Sequence, residues 1–385
     1  MKKFQTRMFA CAAVLGLGLG ATSGPALADA LSTPSMSASL SANPNPFGID
    51  LPDWFGDAGG KIYISGAASG LFIAQTDPVP FDESARFDMT NAMVNVQKTD
   101  GWLQFFVSGG LYSFPTVGYP YFTATSTTSG SFGYAPVAYL KLVPNSNWSV
   151  EAGKLPTLIG DEYGFTYQNM NIERGLLWNN EPIVSRGVQV NYTNGPLTVS
   201  LSWNDGTYSN VLNVLSGLAS YGFNGGADTL AFAAAGNLGG GNFSFLNSGS
   251  VYNLIYTHTS GPWTISPYFQ YNATPSVFGR KGTDVWAGAV LVNYAVDDNW
   301  KIAGRAEYES ESGTPGSFAT YADILGYGPG TSAWSITLTP TYQYKVFFAR
   351  VDASYVGLSS ATIGFGSNFH SSSQLRGVLE AGVVF

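Results

Sequence analysis

Cysteine is almost missing from this 385-residue chain: Cys11 is the only one, and it lies inside the first apolar stretch. Beyond that stretch there can be no disulfide, thiolate nucleophile or thiolate metal ligand. Histidine is nearly as scarce, with only His258 and His370. His258 falls beside an expected short turn and His370 in an expected long loop, so spacing offers no Ser–His pair and no His/Cys metal set. The glycine run Gly239–Gly241 has no following Lys-Ser/Thr and no helix, which makes it a turn, not a phosphate loop. Asp297-Asp298 is more simply a polar turn than a cation site. The chain is expected to be no enzyme, with no catalytic, cofactor-binding or metal residues and no cofactor.

Charge is the next shortage. Only 11% of residues are charged, while 15% are aromatic; a soluble domain usually carries about 25% charged residues. Setting aside Lys2, Lys3 and Arg7 of the leader leaves 14 basic against 25 acidic residues, a balance of −11. No basic face for a nucleic-acid partner is expected from such a chain. A surface this poor in charge needs an environment other than water. Past the leader there is no run of about 20 apolar residues, which excludes transmembrane helices. With 47 glycines and 22 tyrosines, what remains is a closed sheet in lipid, the other structure that satisfies every backbone group there.

The start reads as a secretory signal. Lys2, Lys3 and Arg7 precede the apolar stretch Met8 to Gly20, and Ala26-Leu27-Ala28 offers small residues for cleavage before Asp29. Cys11 stands ahead of most of that run, where a lipoprotein cysteine would follow it. Residues 29–60 are rich in Ser, Ala, Pro and Asn without a sustained period, the composition of a flexible periplasmic lead.

From Lys61 the pattern turns to period two. In 334–343, Trp334, Ile336, Leu338, Pro340 and Tyr342 share one face, opposite Ser335, Thr337, Thr339, Thr341 and Gln343. Segments 197–204 and 263–272 alternate in the same way. The polar faces carry mostly Ser, Thr, Asn and Gln where a soluble sandwich would carry Lys and Glu. That suits lipid outside and a watery lumen inside. Sixteen strands are expected: 61–74, 85–98, 101–113, 132–143, 147–156, 183–193, 196–204, 228–236, 242–248, 250–259, 262–272, 283–295, 299–309, 332–344, 346–357 and 374–385. Short links alternate with long ones, of which 114–131, 157–182, 205–227 and 310–331 are the largest. Short periplasmic turns and long extracellular loops characterise a bacterial antiparallel transmembrane β-barrel. Segment 242–248 is the weakest strand; without it and a neighbour the count is 14. Residues 211–218 look like a short loop helix.

The last strand sets Leu375, Gly377, Leu379, Ala381, Val383 and Phe385 against Gln374, Arg376, Val378, Glu380, Gly382 and Val384. An apolar terminal strand would be an exposed sticky edge in a soluble protein, whereas in a barrel it pairs with the first strand. Its terminal aromatic also resembles the C-terminal signature that outer-membrane proteins present to the barrel-assembly machinery.

Residues 153–192 carry a further pattern: Gly153-Lys154, then Thr157 to Asp161, an aromatic/Asn run Tyr167 to Asn171, Arg174 to Leu177, and Glu181-Pro182. In this segment and in the later hairpins, over 61–385, the sequence resembles the Putative β-barrel porin-2 (OmpL-like) family. The resemblance implies an outer-membrane porin for passive transport of small solutes.

Two groups of charged residues are candidates for pore chemistry. Asp161, Glu162, Glu173, Arg174 and Glu181 lie in the long link 157–182. They form either an inward-folded constriction loop that sorts solutes by charge or an extracellular loop whose charges meet water. Period-two parity aims Arg305, Glu307, Arg350, Asp352, Arg376 and Glu380 at the lumen, with Lys141 and Glu151 beside them. These either set selectivity or form internal ion pairs that stiffen the wall; at mid-depth on the lipid side an Arg or Lys would cost about 2–4 kcal/mol. Arg186 and Lys154 belong at the rim. Trp102, Tyr112, Trp148, Trp203, Trp263, Tyr294, Trp300, Trp334 and Tyr355 fit interfacial girdles, and Tyr119, Tyr121 and Phe122 in a loop leave sugar stacking open. The expected function is diffusion of ions and small hydrophilic solutes. The alternatives are a carbohydrate-selective porin and a non-conducting structural or adhesive barrel. The expected partners are outer-membrane lipids, the assembly machinery and, as in other 16-stranded porins, two further copies in a homotrimer.

Overall fold

The computed structural model describes residues 39–42, 46–52, 59–79, 82–239, 249–276 and 278–385. The leader, the proposed cleavage site after Ala28 and the expected strand 242–248 lie outside these residues. Strand β1 is Phe47–Asp50. The first half of the barrel is β2 Lys61–Gln75, β3 Ala85–Lys98, β4 Leu103–Tyr112, β5 Val137–Leu142, β6 Trp148–Pro156, β7 Val184–Asn194, β8 Leu197–Asn204 and β9 Val214–Phe223. The second half is β10 Asp228–Asn237, β11 Ser250–Ser260, β12 Trp263–Thr274, β13 Thr283–Ala295, β14 Trp300–Glu311, β15 Ser332–Tyr344, β16 Phe347–Ser359 and β17 Ser373–Val384.

Strands β2 to β17 pair antiparallel, each with the next, and β17 closes on β2 from Arg376↔Gln75 to Val384↔Ala67. The result is a closed 16-stranded barrel in which every strand between β2 and β17 has two neighbours, as a sheet in lipid requires. Phe385 ends the seam with two backbone hydrogen bonds to Gly66, of 2.8 and 3.0 Å. Its ring lies against Gly66, where a Cβ would strike it. The edge of β2 below that point is covered by β1, which pairs from Phe47↔Ile64 to Asp50↔Lys61. No helix among the described residues is long and apolar enough to cross a membrane.

Period two is visible in the burial. Along β17, Gln374, Arg376, Val378 and Glu380 are buried while Leu375 and Leu379 are exposed. On β15, Ser335, Thr337, Thr339 and Thr341 are buried opposite exposed Ile336 and Leu338. Outward aromatics pair across strands at both rims: Trp263 with Tyr294 at 4.5 Å, Trp300 with Tyr342 at 5.0 Å, and Trp334 with Tyr355 at 5.3 Å. This is the girdle arrangement of an outer-membrane barrel. Tyr112 departs from the girdle expectation. It is fully buried and packs inward against Phe165.

The count of sixteen holds with one member exchanged. The segment expected as a loop helix is β9, so the expected loop 205–227 shrinks to 205–213 and a tight turn at Asn224–Ala227. The link after β10 then spans 238–249 and belongs to the long-link rim; it is no tight turn. The reason is local: β9 buries Val214 and Leu218 while Leu215, Tyr221 and Phe223 face outward. Apolar side chains on both faces erase the alternation that marks the other strands. Tight links on the opposite rim include the two-residue turns led by Gly195 and Gly261, both at φ +56°, a region glycine enters without a Cβ penalty.

Candidate constriction inside the lumen

Inward-facing parity brings the charged side chains of three strands, β14, β16 and β17, to one side of the lumen, and the link 157–183 folds down onto them. Arg305 on β14 bonds Glu162 Oε1 at 2.6 Å and the Glu173 carbonyl at 2.7 Å with Nη1, and Glu307 at 3.0 Å with Nε. Arg350 on β16 reaches Glu380 of β17 at 2.8 Å and the Asn169 carbonyl at 3.0 Å. Arg376 on β17 pairs with Glu173 at 2.8 Å and donates to the carbonyls of Thr116 and Tyr119. Carboxylates complete the grip by accepting loop amides: Asp352 from Glu173 at 2.8 Å, Glu307 from Leu176 at 3.1 Å, and Glu162 from Gly175 at 2.8 Å. Thr166 donates to Glu380 at 2.7 Å and Asn171 to Thr339 at 2.6 Å. Gly175 is required here because a Cβ would run into Glu307 Oε1.

These ion pairs are fully desolvated: the side chains of Arg305, Glu307, Arg350 and Glu380 are 0% exposed. A buried pair gains little over an apolar substitute but is costly to break, because the survivor is left charged and unpaired. The contacts therefore act as a lock that holds one backbone path for the loop. The link 113–136 reinforces it from above. Arg174 N donates to the Pro115 carbonyl and Val117 N to the Arg174 carbonyl, at 2.9 and 3.0 Å.

Arg174 sits in the middle of this lock, fully buried, and none of its three guanidinium nitrogens is hydrogen-bonded among the described residues. Burial draws its pKa down to about 10, while Glu162 and Glu380 hold it up. Four arginines (Arg174, Arg305, Arg350, Arg376) thus face five carboxylates (Glu162, Glu173, Glu307, Asp352, Glu380). The cluster needs the Arg174 charge for near-neutrality and has no surplus to offer an anion.

A second set of carboxylates lacks any such partner. Asp161 accepts from Ser266 at 2.5 Å, Glu181 from the Tyr268 hydroxyl at 3.4 Å, and Glu309 from Asn180 at 3.0 Å. Glu311 accepts the Ile324 amide at 2.7 Å. None of the four forms an ion pair among the described residues. Glu181 Oε2 and Glu309 Oε1 are buried without a hydrogen-bond partner there. Burial and the like charges of Glu162 and Asp161 raise the pKa of Glu181.

The wall opposite the lock carries hardly any charge. Its inward residues are Ser200, Ser202 and Asn204 on β8, Val214, Ser216 and Leu218 on β9, Ala231, Ala233 and Ala235 on β10, and Val251, Asn253 and Ile255 on β11. Two cavities lie between this wall and the folded loop. Both are small: one is bounded by Thr157, Pro182, Ser202 and Ser216, and the other by Asn180, Pro182, Ala235 and Asn272. Glu181 stands in the chain between the lining residues Asn180 and Pro182.

Every candidate named from the sequence can be placed. Asp161, Glu162, Glu173, Arg174 and Glu181 are inside the barrel, and Glu162, Glu173 and Arg174 belong to the lock with Arg305, Glu307, Arg350, Asp352, Arg376 and Glu380. Lys141 and Glu151 form a separate inward pair at 3.2 Å on β5 and β6. Lys154 and Arg186 lie against the Tyr208 ring at the long-link ends of β6 and β7. Glu309 and Glu311 were not singled out, although they continue the parity of Arg305 and Glu307. Carrying the alternation two and four residues further finds them.

The inner mouth, on the short-link side, holds an unexpected occupant. Ser39, Leu40 and Ser41 of the lead enter the lumen and reach both the wall and the loop.

Residues 61–385 match the family described as Putative beta-barrel porin-2, OmpL-like. No curated protein matches the chain. Among solved structures, OmpT of Vibrio cholerae superposes with a TM-score of 0.57 at 11% identity, covering 84% of this chain and 98% of that one. The outer membrane channel DcaP of Acinetobacter baumannii gives 0.57 at 12% identity, over 84% and 97%. A trimer form of in-vitro folded OmpT gives 0.56 at 14%, over 84% and 99%. At these identities the likeness is one of fold.

Proposed function

Because the chain belongs to the Putative beta-barrel porin-2, OmpL-like family of outer-membrane porins, we propose that it is a passive diffusion channel for ions and small hydrophilic solutes. The observation that carries this reading is a closed 16-stranded barrel with polar inward faces, in which the loop 157–183 is locked to β14–β17 by ion pairs and small cavities remain along β6–β12. Solute passes between the loop and a wall of Ser, Asn and Ala. Such a surface hydrogen-bonds hydrated solutes without binding them tightly, as passage requires.

Within that reading the channel prefers cations. The arginines are neutralised inside the lock, whereas Asp161, Glu181, Glu309 and Glu311 have no cationic partner among the described residues, so each that ionises adds negative charge the lock does not compensate. Fixed charge in a constriction selects for the opposite sign. Export with cleavage after Ala28 and assembly as a homotrimer complete the proposal. An intact mass beginning at Asp29 tests the first, and the detergent-solubilised oligomer's mass the second.

Planar-bilayer recording tests the channel itself. Single-channel steps with a reversal potential on the cation side of zero in a KCl gradient are expected. A correctly folded but silent barrel would refute conduction, and current blocked by a neutral oligosaccharide would move the reading to a carbohydrate-selective porin.

A further inference from the structure

The lead segment and the inner mouth fit one another in a way that barrel closure does not require. Ser39 Oγ donates to the carbonyl of Met170, on the folded loop, at 2.8 Å and approaches Asn293 Oδ1 of β13 at 3.4 Å. Gln343 of β15 reads the backbone of Ser41 from both sides. Its Oε1 accepts the Ser41 N–H at 2.7 Å and its Nε2 donates to the Ser41 carbonyl at 2.9 Å. Lys301 Nζ of β14 donates to Ser41 Oγ at 3.2 Å. Between the two serines Leu40 is 3% exposed, in one apolar cluster with Phe348 and Val384.

We propose that the inner mouth of the barrel is a docking site for a short uncharged peptide, that its occupant is the chain's own Ser39–Ser41, and that this segment is a removable plug. The proposal rests on the lumen being a conduction path. Three features mark the plug as removable. The segment has one apolar anchor, Leu40. Among the described residues no buried ion pair holds it, in contrast to the loop above it, whose Glu162 and Glu173 are bound by Arg305 and Arg376. And a side-chain amide that bonds one backbone N–H and C=O recognises the peptide backbone itself, demanding little of its side chains. Among the described residues the plug's hydrogen bond to the constriction loop is the one to the Met170 carbonyl, so leaving would break none of the lock's ion pairs.

The test uses the full chain in a Cys11→Ala background carrying Ser39→Cys, reconstituted in liposomes. A maleimide reports whether residue 39 is docked, and bilayer recording reports whether the mouth is open. Residue 39 should react slowly beside an exposed control, Ser146→Cys on the short-link rim. Adding Leu40→Asp should raise its labelling rate at least about tenfold, since losing one buried aliphatic contact is worth about that factor. Conductance should rise with it, and Gln343→Ala should act in the same direction. Labelling as fast as the control before any further substitution overturns the proposal, and so does a Leu40→Asp variant unchanged in rate and conductance. Unresponsive labelling beside normal channel steps overturns the plug alone, whereas silence in the bilayer from every variant overturns the channel reading and the plug together.

Discussion

The two sides of the lumen solve opposite problems with the same backbone. On β14, β16 and β17 the inward positions hold charged side chains that reach across to the loop: Arg305 to Glu162, Arg376 to Glu173, Asp352 to the Glu173 amide. On β8–β10 the same alternation presents the short Ser202, Ser216, Ala233 and Ala235; the two alanines share one apolar cluster with Ile159 and Leu177 of the loop, and small cavities lie beside them. The loop leans on the charged wall through buried ion pairs and meets the other through apolar packing and single hydrogen bonds. Charge is the means of leaning, because a desolvated arginine tolerates few positions. The lesson is that a lumen full of charge is not thereby a selective lumen; charge already paired is structural, and only the unpaired remainder is free to act on a solute.

Four experiments would break or sharpen this contrast. The largest effect belongs to the lock. Arg305→Ala strands Glu162 and Glu307 without their partner, a loss of about 3–5 kcal/mol for a broken buried pair. Denaturant unfolding of the micellar barrel should show it, together with larger and noisier single-channel currents as the loop loosens. Unchanged stability would mean that the arginine cluster is not what holds the loop. For the same reason Arg350→Glu should disturb the loop more than it shifts ion preference.

Next comes Ala233→Arg on the neutral wall, at a fully buried inward position. It should lower conductance and turn the reversal potential toward anions, with overpacking costing about 1–3 kcal/mol. A normal conductance would place the path elsewhere. Glu309→Gln keeps the shape and drops an unpaired charge. A unit charge at about 4 Å is worth about 1 kcal/mol even in bulk water, so the cation/anion permeability ratio should fall about fivefold. An unaltered reversal potential would remove Glu309 from the selectivity account. The smallest effect is that of Ser216→Ala, expected to leave stability within about 0.5 kcal/mol and conductance unchanged. A larger change would show that the neutral wall takes part in holding the loop.

Much of this architecture was legible from residue patterns, for a definite reason. Alternation on β15 and β17 is strong because lipid outside and polar lumen inside impose opposite demands on adjacent residues. Parity then puts Arg305, Arg350 and Arg376 on the inward face without reference to any partner. Reading failed where those demands relax. β9 meets apolar loop residues on its inner face, with Val214 and Leu218 in one cluster with Ile159 and Leu177, so its period looked helical. The lead failed for another reason: Ser-Leu-Ser has no period of its own, and its place is set by Gln343, Asn293 and Met170, which are far away in the chain.

By itself, the sequence determined a closed, lipid-facing barrel that ends at Phe385, because charge scarcity, missing apolar helices and period-two strands admit no other way to satisfy the backbone. It also determined which charges point inward, since parity is a local property. Only the tertiary structure decided which of those charges are spent on each other and which remain. That division depends on where the loop lands, and the landing is set by contacts between residues such as Arg376 and Glu173, about 200 positions apart in sequence, which no local period encodes.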